Sequence, residues 1–127
     1  MRIFSTVIIF IIVFQFCLFP YELSRFVLTR DIKDNEPADS DTVFFLVEDS
    51  IFCFTEFKNI TNPFRITHKW FCNNRLVGRV ELRLKPARRW RTWSRKRFKN
   101  CSGKWMVQVC NLQGKILAEK KFIVKKI

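Results

Sequence analysis

The chain has 127 residues and a formal net charge of +13, with 24 lysines and arginines against 11 acidic residues. This length accommodates one domain and a targeting segment, and a globular part of about 100 residues can bury a core without metals. Only three glycines are present, which excludes a glycine-rich loop that cradles phosphates.

The charge is distributed unevenly along the chain. Residues 1–57 contain nine acids and four bases, whereas residues 58–127 contain two acids and twenty bases, so the two parts carry −5 and +18. A field of this sign favours anionic partners such as phosphate backbones, acidic glycans or lipid head groups. The alternative is a basic protein that associates loosely with many polyanions.

The first feature in chain order is an uncharged apolar run over residues 3–21, between Arg2 and Glu22. Nineteen residues in a helix just cross a bilayer core, and no small-x-small cleavage site follows. Residues 1–21 are therefore interpreted as a signal anchor that attaches the chain to the membrane, with a cleaved signal peptide as the alternative. We expect one N-terminal hydrophobic helix.

The side of the membrane is less clearly indicated. Arg25, Arg30 and Lys33 follow the apolar run, and the positive-inside rule would keep them in the cytoplasm. A short basic N-terminus ahead of an apolar run is, however, typical of export. We expect an extracytoplasmic domain at the cell envelope, or a secreted one if the signal is cleaved.

Residues 22–42 are interpreted as an acidic linker with a possible first strand at residues 25–30. The part from 31 to 41 contains Pro37 and little apolar content, which is typical of a loop. A β pattern starts at Val43, so residues 43–127 are predicted to form the folded domain.

The sequence of this domain predicts short strands separated by turns. Aromatic and apolar runs cover residues 44–47, 51–57 and 65–72. Asn73 and Asn74 then predict a two-residue type I′ hairpin, because asparagine tolerates positive φ. In the following segment Val80, Leu82 and Leu84 alternate with charged residues and are predicted to face a core.

Trp105, Val107 and Val109 alternate in the same way, and residues 116–124 close the chain as a last strand. About seven short strands over about 100 residues predict an all-β fold, specifically an immunoglobulin-like antiparallel β-sandwich.

Four cysteines follow the apolar run: Cys53, Cys72, Cys101 and Cys110. None has C-x-x-C spacing, so neither a zinc ribbon nor a thioredoxin-like redox pair is indicated. An exported domain could form two disulfides in three connectivities, whereas a cytoplasmic one would bury the thiols. The order Cys53, Trp70, Cys110 is similar to immunoglobulin domains, but strand parity turns Cys110 away from the core.

Residues 88–97 combine six cations with two tryptophans. In a regular strand Trp90 would enter the core, and Trp93 would lie outside among guanidinium groups that stack on its ring. We predict an anionic-ligand site at this strand, formed by Arg89, Arg91, Trp93, Arg95 and Lys96. The alternative is that these arginines pair with acids of the same domain, notably Glu56 and Glu81.

Glu56 and His68 are the remaining candidates for chemistry. Glu56 lies in an apolar strand and needs a cationic partner, so we predict a structural ion pair with Arg91, Lys69 being the other candidate. His68 is the only histidine and belongs to no nucleophilic set, which favours a hydrogen-bonded structural role. No catalytic, cofactor or metal site is predicted, and the chain is not expected to be an enzyme.

Four segments carry a resemblance to a known family: residues 52–56 (FCFTE), 66–70 (ITHKW), 89–94 (RWRTWS) and 103–107 (GKWMV). In this order and spacing they resemble the signature blocks of an uncharacterised bacterial family, domain of unknown function 2914, over about residues 26–125. The resemblance implies a β-rich domain often found with membrane segments, and no established activity.

These observations predict a non-enzymatic binding or scaffolding module at the cell envelope. Its basic, tryptophan-containing face would engage an anionic glycan, a lipid head group or an acidic protein. The alternative is a membrane-anchored cytoplasmic domain that binds nucleic acid, which would show a steep salt dependence. The oligomeric state stays open.

Overall fold

The computed structural model describes residues 21–127. The predicted N-terminal helix and signal segment, residues 1–21, lie outside the described residues except for Tyr21. Ten strands follow one another: β1 (Glu22–Thr29), β2 (Ile32–Lys33), β3 (Glu36–Pro37), β4 (Val43–Phe45), β5 (Ser50–Ile60), β6 (Phe64–Cys72), β7 (Arg75–Leu84), β8 (Ala87–Arg97), β9 (Gly103–Asn111) and β10 (Ile116–Lys125). A short 3-10 turn, Leu46–Glu48, joins β4 to β5. No helix in this part of the chain is long and apolar enough to cross a membrane.

The long strands form two sheets. The first has three strands in the order β1-β5-β8, and the second has five in the order β4-β10-β9-β6-β7. Every pairing is antiparallel except that of β4 with β10. The small ribbon β2-β3 forms a separate two-stranded sheet. The predicted all-β class with antiparallel sheets is confirmed.

The two sheets pack face to face because their strands alternate apolar and polar side chains. In β6, Trp70 is fully buried while Lys69 beside it faces outward. The larger core cluster joins Leu28 and Cys53 of the first sheet to Trp70 and Trp105 of the second. A smaller cluster around Phe57, Ile66 and Leu84 fills the end at which β1 begins. Burial of aromatic side chains from both sheets therefore holds the layers together.

The predicted hairpin between β6 and β7 is confirmed. Asn73 and Asn74 have φ values of 51° and 68°, which are the left-handed conformations that a type I′ turn requires. Across this hairpin Leu82 pairs with the buried Ile66, and Leu84 is itself buried. These two leucines face the core, as their alternation with charged residues predicts.

The β fold starts at Glu22, which is earlier than the boundary that the sequence indicates at residue 43. Strand β1 pairs with β5 from Glu22 opposite Lys58 to Thr29 opposite Phe52. The acidic segment after it folds back onto β1, where the Thr29 hydroxyl donates to Asp39 at 2.6 Å. Polar contacts rather than apolar burial hold this segment in place. Its sequence therefore contains few apolar residues and resembles that of a linker.

One disulfide is present in the described part of the chain, between Cys72 at the end of β6 and Cys101 in the β8–β9 loop. Cys53 and Cys110 are free and buried. Cys53 faces the core, whereas the Cys110 thiol lies 3.9 Å from Gln108 Oε1 on the outer side of its sheet. The parity argument against an immunoglobulin-type pairing of these two cysteines therefore holds.

Candidate functional site

The structure brings four of the five predicted ligand residues to one face. Opposite β5, Trp93 pairs with the outward Phe54 and Arg91 with the outward Glu56, so the outer side of β8 carries Arg89, Arg91, Trp93 and Arg95. Lys96 points to the other side, where its aliphatic stem lies against Gly78 of β7. Including Lys96 in this site was wrong, because adjacent residues of a strand face opposite sides.

Trp93 is half-buried and packs within the domain. Its ring lies parallel to Phe54, at an angle of 11° and a centroid separation of 6.2 Å. The guanidinium of Arg25 lies 5.0 Å from the centroid of the same Phe54 ring. Cation–aromatic contacts of this kind fix the outer layer of the sheet and leave less of Trp93 for a ligand.

Glu56 forms its close ion pair with Arg25, not with Arg91. Arg25 Nη2 donates to Glu56 Oε1 at 2.7 Å, the Ser24 hydroxyl donates to Oε2 at 2.8 Å, and Arg89 is 4.0 Å away. Burial raises the pKa of Glu56, but the hydrogen bonds from Arg25 and Ser24 outweigh burial and hold it below its usual range.

Arg91 has a different partner, although it lies directly opposite Glu56 in the strand register. Its guanidinium donates to Glu36 Oε2 at 2.5 Å and to the Asn35 carbonyl at 3.2 Å. The predicted Glu56–Arg91 pair is therefore wrong: the β2-β3 ribbon covers this part of the sheet and supplies a second carboxylate.

Acidic residues from two places in the sequence, Glu36 and Asp49, neutralise much of the face of β8. Glu36 binds Arg25 through both carboxylate oxygens at 2.8 Å, and Asp49 lies 3.4 Å from Arg97 and 4.0 Å from Arg95. The predicted alternative partner, Glu81, instead lies 3.6 Å from Arg65 on the other sheet. Sequence reasoning identified the acidic residues of 31–41 but interpreted them as a linker, so it did not predict that Glu36 would pair with β8.

Glu36 and Glu56 share Arg25 and line a small polar pocket of about 480 Å³ together with Ser24, Lys58 and Arg89. Two nearby carboxylates can act as acid and base only if one keeps a proton. Hydrogen bonds from Arg25 lower the pKa of Glu36 to about 2, and the pKa of Glu56 is also lowered. Both groups are ionised at neutral pH, so this pocket supplies no general acid.

His68 is fully buried between the two sheets. Its Nδ1 lies 2.7 Å from the Ser94 hydroxyl and its Nε2 lies 3.3 Å from the Thr55 hydroxyl. The Thr55 hydroxyl also lies 3.2 Å from the Thr92 carbonyl, and the Cys53 thiol lies 3.9 Å from Nε2, so both ring nitrogens have polar partners on the three-stranded sheet. Burial lowers the pKa of His68 to about 4. The histidine joins the sheets as a neutral ring, which is the structural role expected for it.

The outer side of the five-stranded sheet carries a second set of cations, which we call the basic face: Lys69, Arg79, Lys104 and Lys121. Lys69 of β6 lies opposite Arg79 of β7 in the strand register, and Lys104 and Lys121 extend the set over β9 and β10. In the described part of the chain these four cations make no ion pair. The basic face is thus less neutralised by acidic residues than the predicted cationic surface on β8.

An apolar strip crosses the same side of the sheet. In the strand register Leu76 is opposite Phe71, and Phe71 is opposite Met106. Phe71 and Met106 are half-buried, while Leu76 is 51% exposed. An apolar strip bordered by unpaired cations offers both desolvation and charge to a flat partner. The sequence alone did not indicate this strip, because its three residues lie on different strands and become neighbours only through the strand register.

A groove of about 850 Å³ lies at the end of the domain where β1 begins, and we call it the end groove. Tyr21 and Phe64 stack in it at 4.0 Å with a 10° angle between the rings. Leu84 and Leu117 add apolar lining, and Arg83 and Lys85 are among its basic residues, as are Arg65 and Lys115. Burial raises the pKa of Tyr21, so the phenol stays protonated at neutral pH.

The solved structures that resemble this fold include glucoside-hydrolysing enzymes. A β-glucosidase from Kluyveromyces marxianus is 18% identical with a TM-score of 0.51, over 84% of this chain and 14% of that enzyme. A β-glucosidase from Listeria innocua, in complex with glucose, is 12% identical with a TM-score of 0.52, over 82% and 16%. A β-D-glucoside glucohydrolase from Trichoderma reesei is 12% identical with a TM-score of 0.50, over 83% and 19%.

The chain spans less than a fifth of the length of these three enzymes, and identities of this size relate the fold alone. No curated protein matches the chain in sequence. Residues 63–124 match the family described as Protein of unknown function (DUF2914). Three of the four segments that suggested the resemblance lie inside this match, and residues 52–56 lie before it. The predicted resemblance to this family is therefore confirmed over residues 63–124.

Proposed function

We propose that this chain is a non-enzymatic binding module of the cell envelope, and that its basic face engages an acidic protein. The observation that supports the proposal is the group of unpaired cations, Lys69, Arg79, Lys104 and Lys121, around the strip of Leu76, Phe71 and Met106. The cations of β8 are held by Glu36, Glu56 and Asp49, so they offer less charge to a partner.

The apolar strip favours a protein over a glycan or a lipid head group as the occupant of the basic face. Aromatic residues, methionine and arginine are enriched at protein interfaces, where desolvated apolar contacts supply most of the affinity. The surrounding cations would steer an acidic partner and set its orientation. A glycan or a head group would use the charges and leave Phe71 and Met106 without a role.

Location at the envelope is supported by two features. The Cys72–Cys101 disulfide is typical of an oxidising compartment, and the apolar run over residues 3–21 is long enough for a membrane anchor. We further infer that the fold is immunoglobulin-like, because β1-β5-β8 faces β10-β9-β6-β7 as strands A-B-E face G-F-C-C′. Such domains commonly serve as interaction modules. This is consistent with the proposal, but the fold alone is not evidence of function.

Two matched triple variants test the proposal on the full chain in detergent micelles. K69Q/R79Q/K121Q removes three charges from the basic face, and R88Q/R95Q/R97Q removes three exposed charges from β8. The probes are poly-glutamate and a glutamate–tyrosine copolymer, which differ in aromatic content. We expect the copolymer to bind more tightly, and the first variant to weaken its binding at least tenfold more than the second.

A further variant, F71S/M106S, separates apolar contact from charge. It should abolish the preference for the copolymer while leaving poly-glutamate binding unchanged. Equal losses from the two triple variants would mean that net charge alone determines binding and would refute the basic face as a site. Tighter binding of single-stranded DNA than of the copolymer, with a steep salt dependence, would favour the nucleic-acid alternative.

A further inference from the structure

The end groove lies at the point where the described chain begins. Tyr21 lines it and is the last residue of the apolar run over residues 3–21. The groove is also bordered by the start of β6, the end of β7 and the β9–β10 turn. If the apolar run enters a bilayer, this end of the domain is held within a few residues of the membrane surface.

The chemistry of this end is amphipathic. Leu112 and Ile116, in and beside the β9–β10 turn, are 63% and 47% exposed. Contact of these side chains with a membrane surface would remove their apolar area from water, which is favourable. Arg83 and Lys85 line the same groove as Leu112, and neither forms an ion pair in the described part of the chain.

We infer that the end groove docks the domain onto the surface of an anionic phospholipid bilayer. The charges of Arg83 and Lys85 are complementary to phosphate head groups, and Leu112 and Ile116 would enter the interfacial layer. The occupant is a bilayer rather than a separate protein because the predicted anchor fixes which surface this end meets. The inference rests on the membrane attachment proposed above, and is independent of the partner of the basic face.

Docking restricts the orientation of the domain. An anchor alone allows the domain to tumble above the bilayer, whereas contact through the end groove holds the strands upright. The opposite end, which contains the 3-10 turn with Val47, then points away from the membrane. The basic face on the side of the sheet stays accessible to a partner in this orientation.

Photo-crosslinking of the full chain in nanodiscs tests the docking. The photoreactive amino acid p-benzoylphenylalanine replaces Leu112 in one variant and Val47 in the other, because both side chains are highly exposed, at 63% and 75%, but lie at opposite ends. Phospholipid adducts are counted by mass spectrometry in discs of phosphatidylglycerol or of phosphatidylcholine. We expect at least fivefold more adducts from position 112 than from position 47, and only in phosphatidylglycerol.

R83E/K85E in the position-112 variant should reduce its adducts to the level of position 47. Equal labelling at the two positions, or labelling that is the same in both lipids, would overturn the inference, and so would failure of the chain to associate with the discs. The proposal for the basic face can fail independently of this inference. It is tested by the binding of soluble polymers and with variants that leave the end groove unchanged.

Discussion

Arg91 and Glu36 lie 55 residues apart in the sequence and form an ion pair of 2.5 Å on the outer side of the three-stranded sheet. The same carboxylate binds Arg25 through both oxygens. Glu36 therefore connects β1 to β8 across β5, and it masks two of the cations that make the sequence so basic.

Removal of this carboxylate should expose a polyanion site. We expect Glu36→Gln to increase the affinity for heparin, seen as elution from a heparin column at higher salt, because Arg25 and Arg91 lose their main partner. Glu22→Gln changes the net charge equally, but Glu22 is an exposed residue with no ion pair in the described residues. Equal shifts for the two variants would show that Glu36 does not mask this surface.

The partner of Glu56 can be identified by double-mutant cycles in urea unfolding. With Gln substitutions, we expect a coupling free energy of about 2 kcal/mol between Arg25 and Glu56, because Glu56 is buried. The value is reduced from that of a fully buried pair because the Arg25 side chain is 35% exposed. The Arg91–Glu56 coupling should be smaller, at about 0.5 kcal/mol, because these two side chains form no ion pair and are connected only through Glu36 and Arg25. The reverse order of the two couplings would restore the pair that sequence reasoning predicted.

The contrast between these pairs shows what local pattern can and cannot predict. Alternation along β8 correctly placed Arg91 and Trp93 on the outer side, because side-chain direction follows directly from strand geometry. It could not identify the partner of Arg91, since Glu36 reaches it through the fold of a separate ribbon. Long-range contacts of polar loops leave no periodic signal.

The basic face was missed for a related reason. Lys69, Arg79 and Lys121 are far apart in sequence and meet only through the order β10-β9-β6-β7. The run of residues 88–97 predicted a cationic site because its cations are close in sequence, yet adjacent residues of a strand face opposite sides of the sheet. The strand order of a sheet decides which cations share a surface.

His68 makes stability depend on pH. Its pKa is about 4 in the folded chain and ordinarily 6.5, so between these values the unfolded chain binds a proton that the folded chain does not. Stability is therefore complete above pH 6.5 and falls as the pH drops to about 4. A shift of this size corresponds to about 3 kcal/mol in total, with about 2 kcal/mol lost by pH 5.

Urea unfolding at pH 7 and pH 5 checks this expectation. His68→Gln retains a donor and an acceptor but does not titrate, so the difference between the two pH values should largely disappear in that variant. The carboxylates with lowered pKa, such as Glu36 and Glu56, lose their stabilising effect only below their usual range, so they contribute little at pH 5. An unchanged difference in His68→Gln would assign the pH dependence to another group.

The Cys72–Cys101 disulfide should contribute substantially to stability. It closes a loop with a sequence separation of 29, which corresponds to about 3 to 4 kcal/mol from the reduced entropy of the unfolded chain. We expect C72S/C101S to lower the free energy of unfolding by about this amount, and dithiothreitol to destabilise the wild-type chain similarly. Dithiothreitol should leave the double variant unchanged, because the remaining described thiols, Cys53 and Cys110, are free and buried. A wild-type midpoint that does not respond to reductant would mean that the disulfide adds nothing to stability.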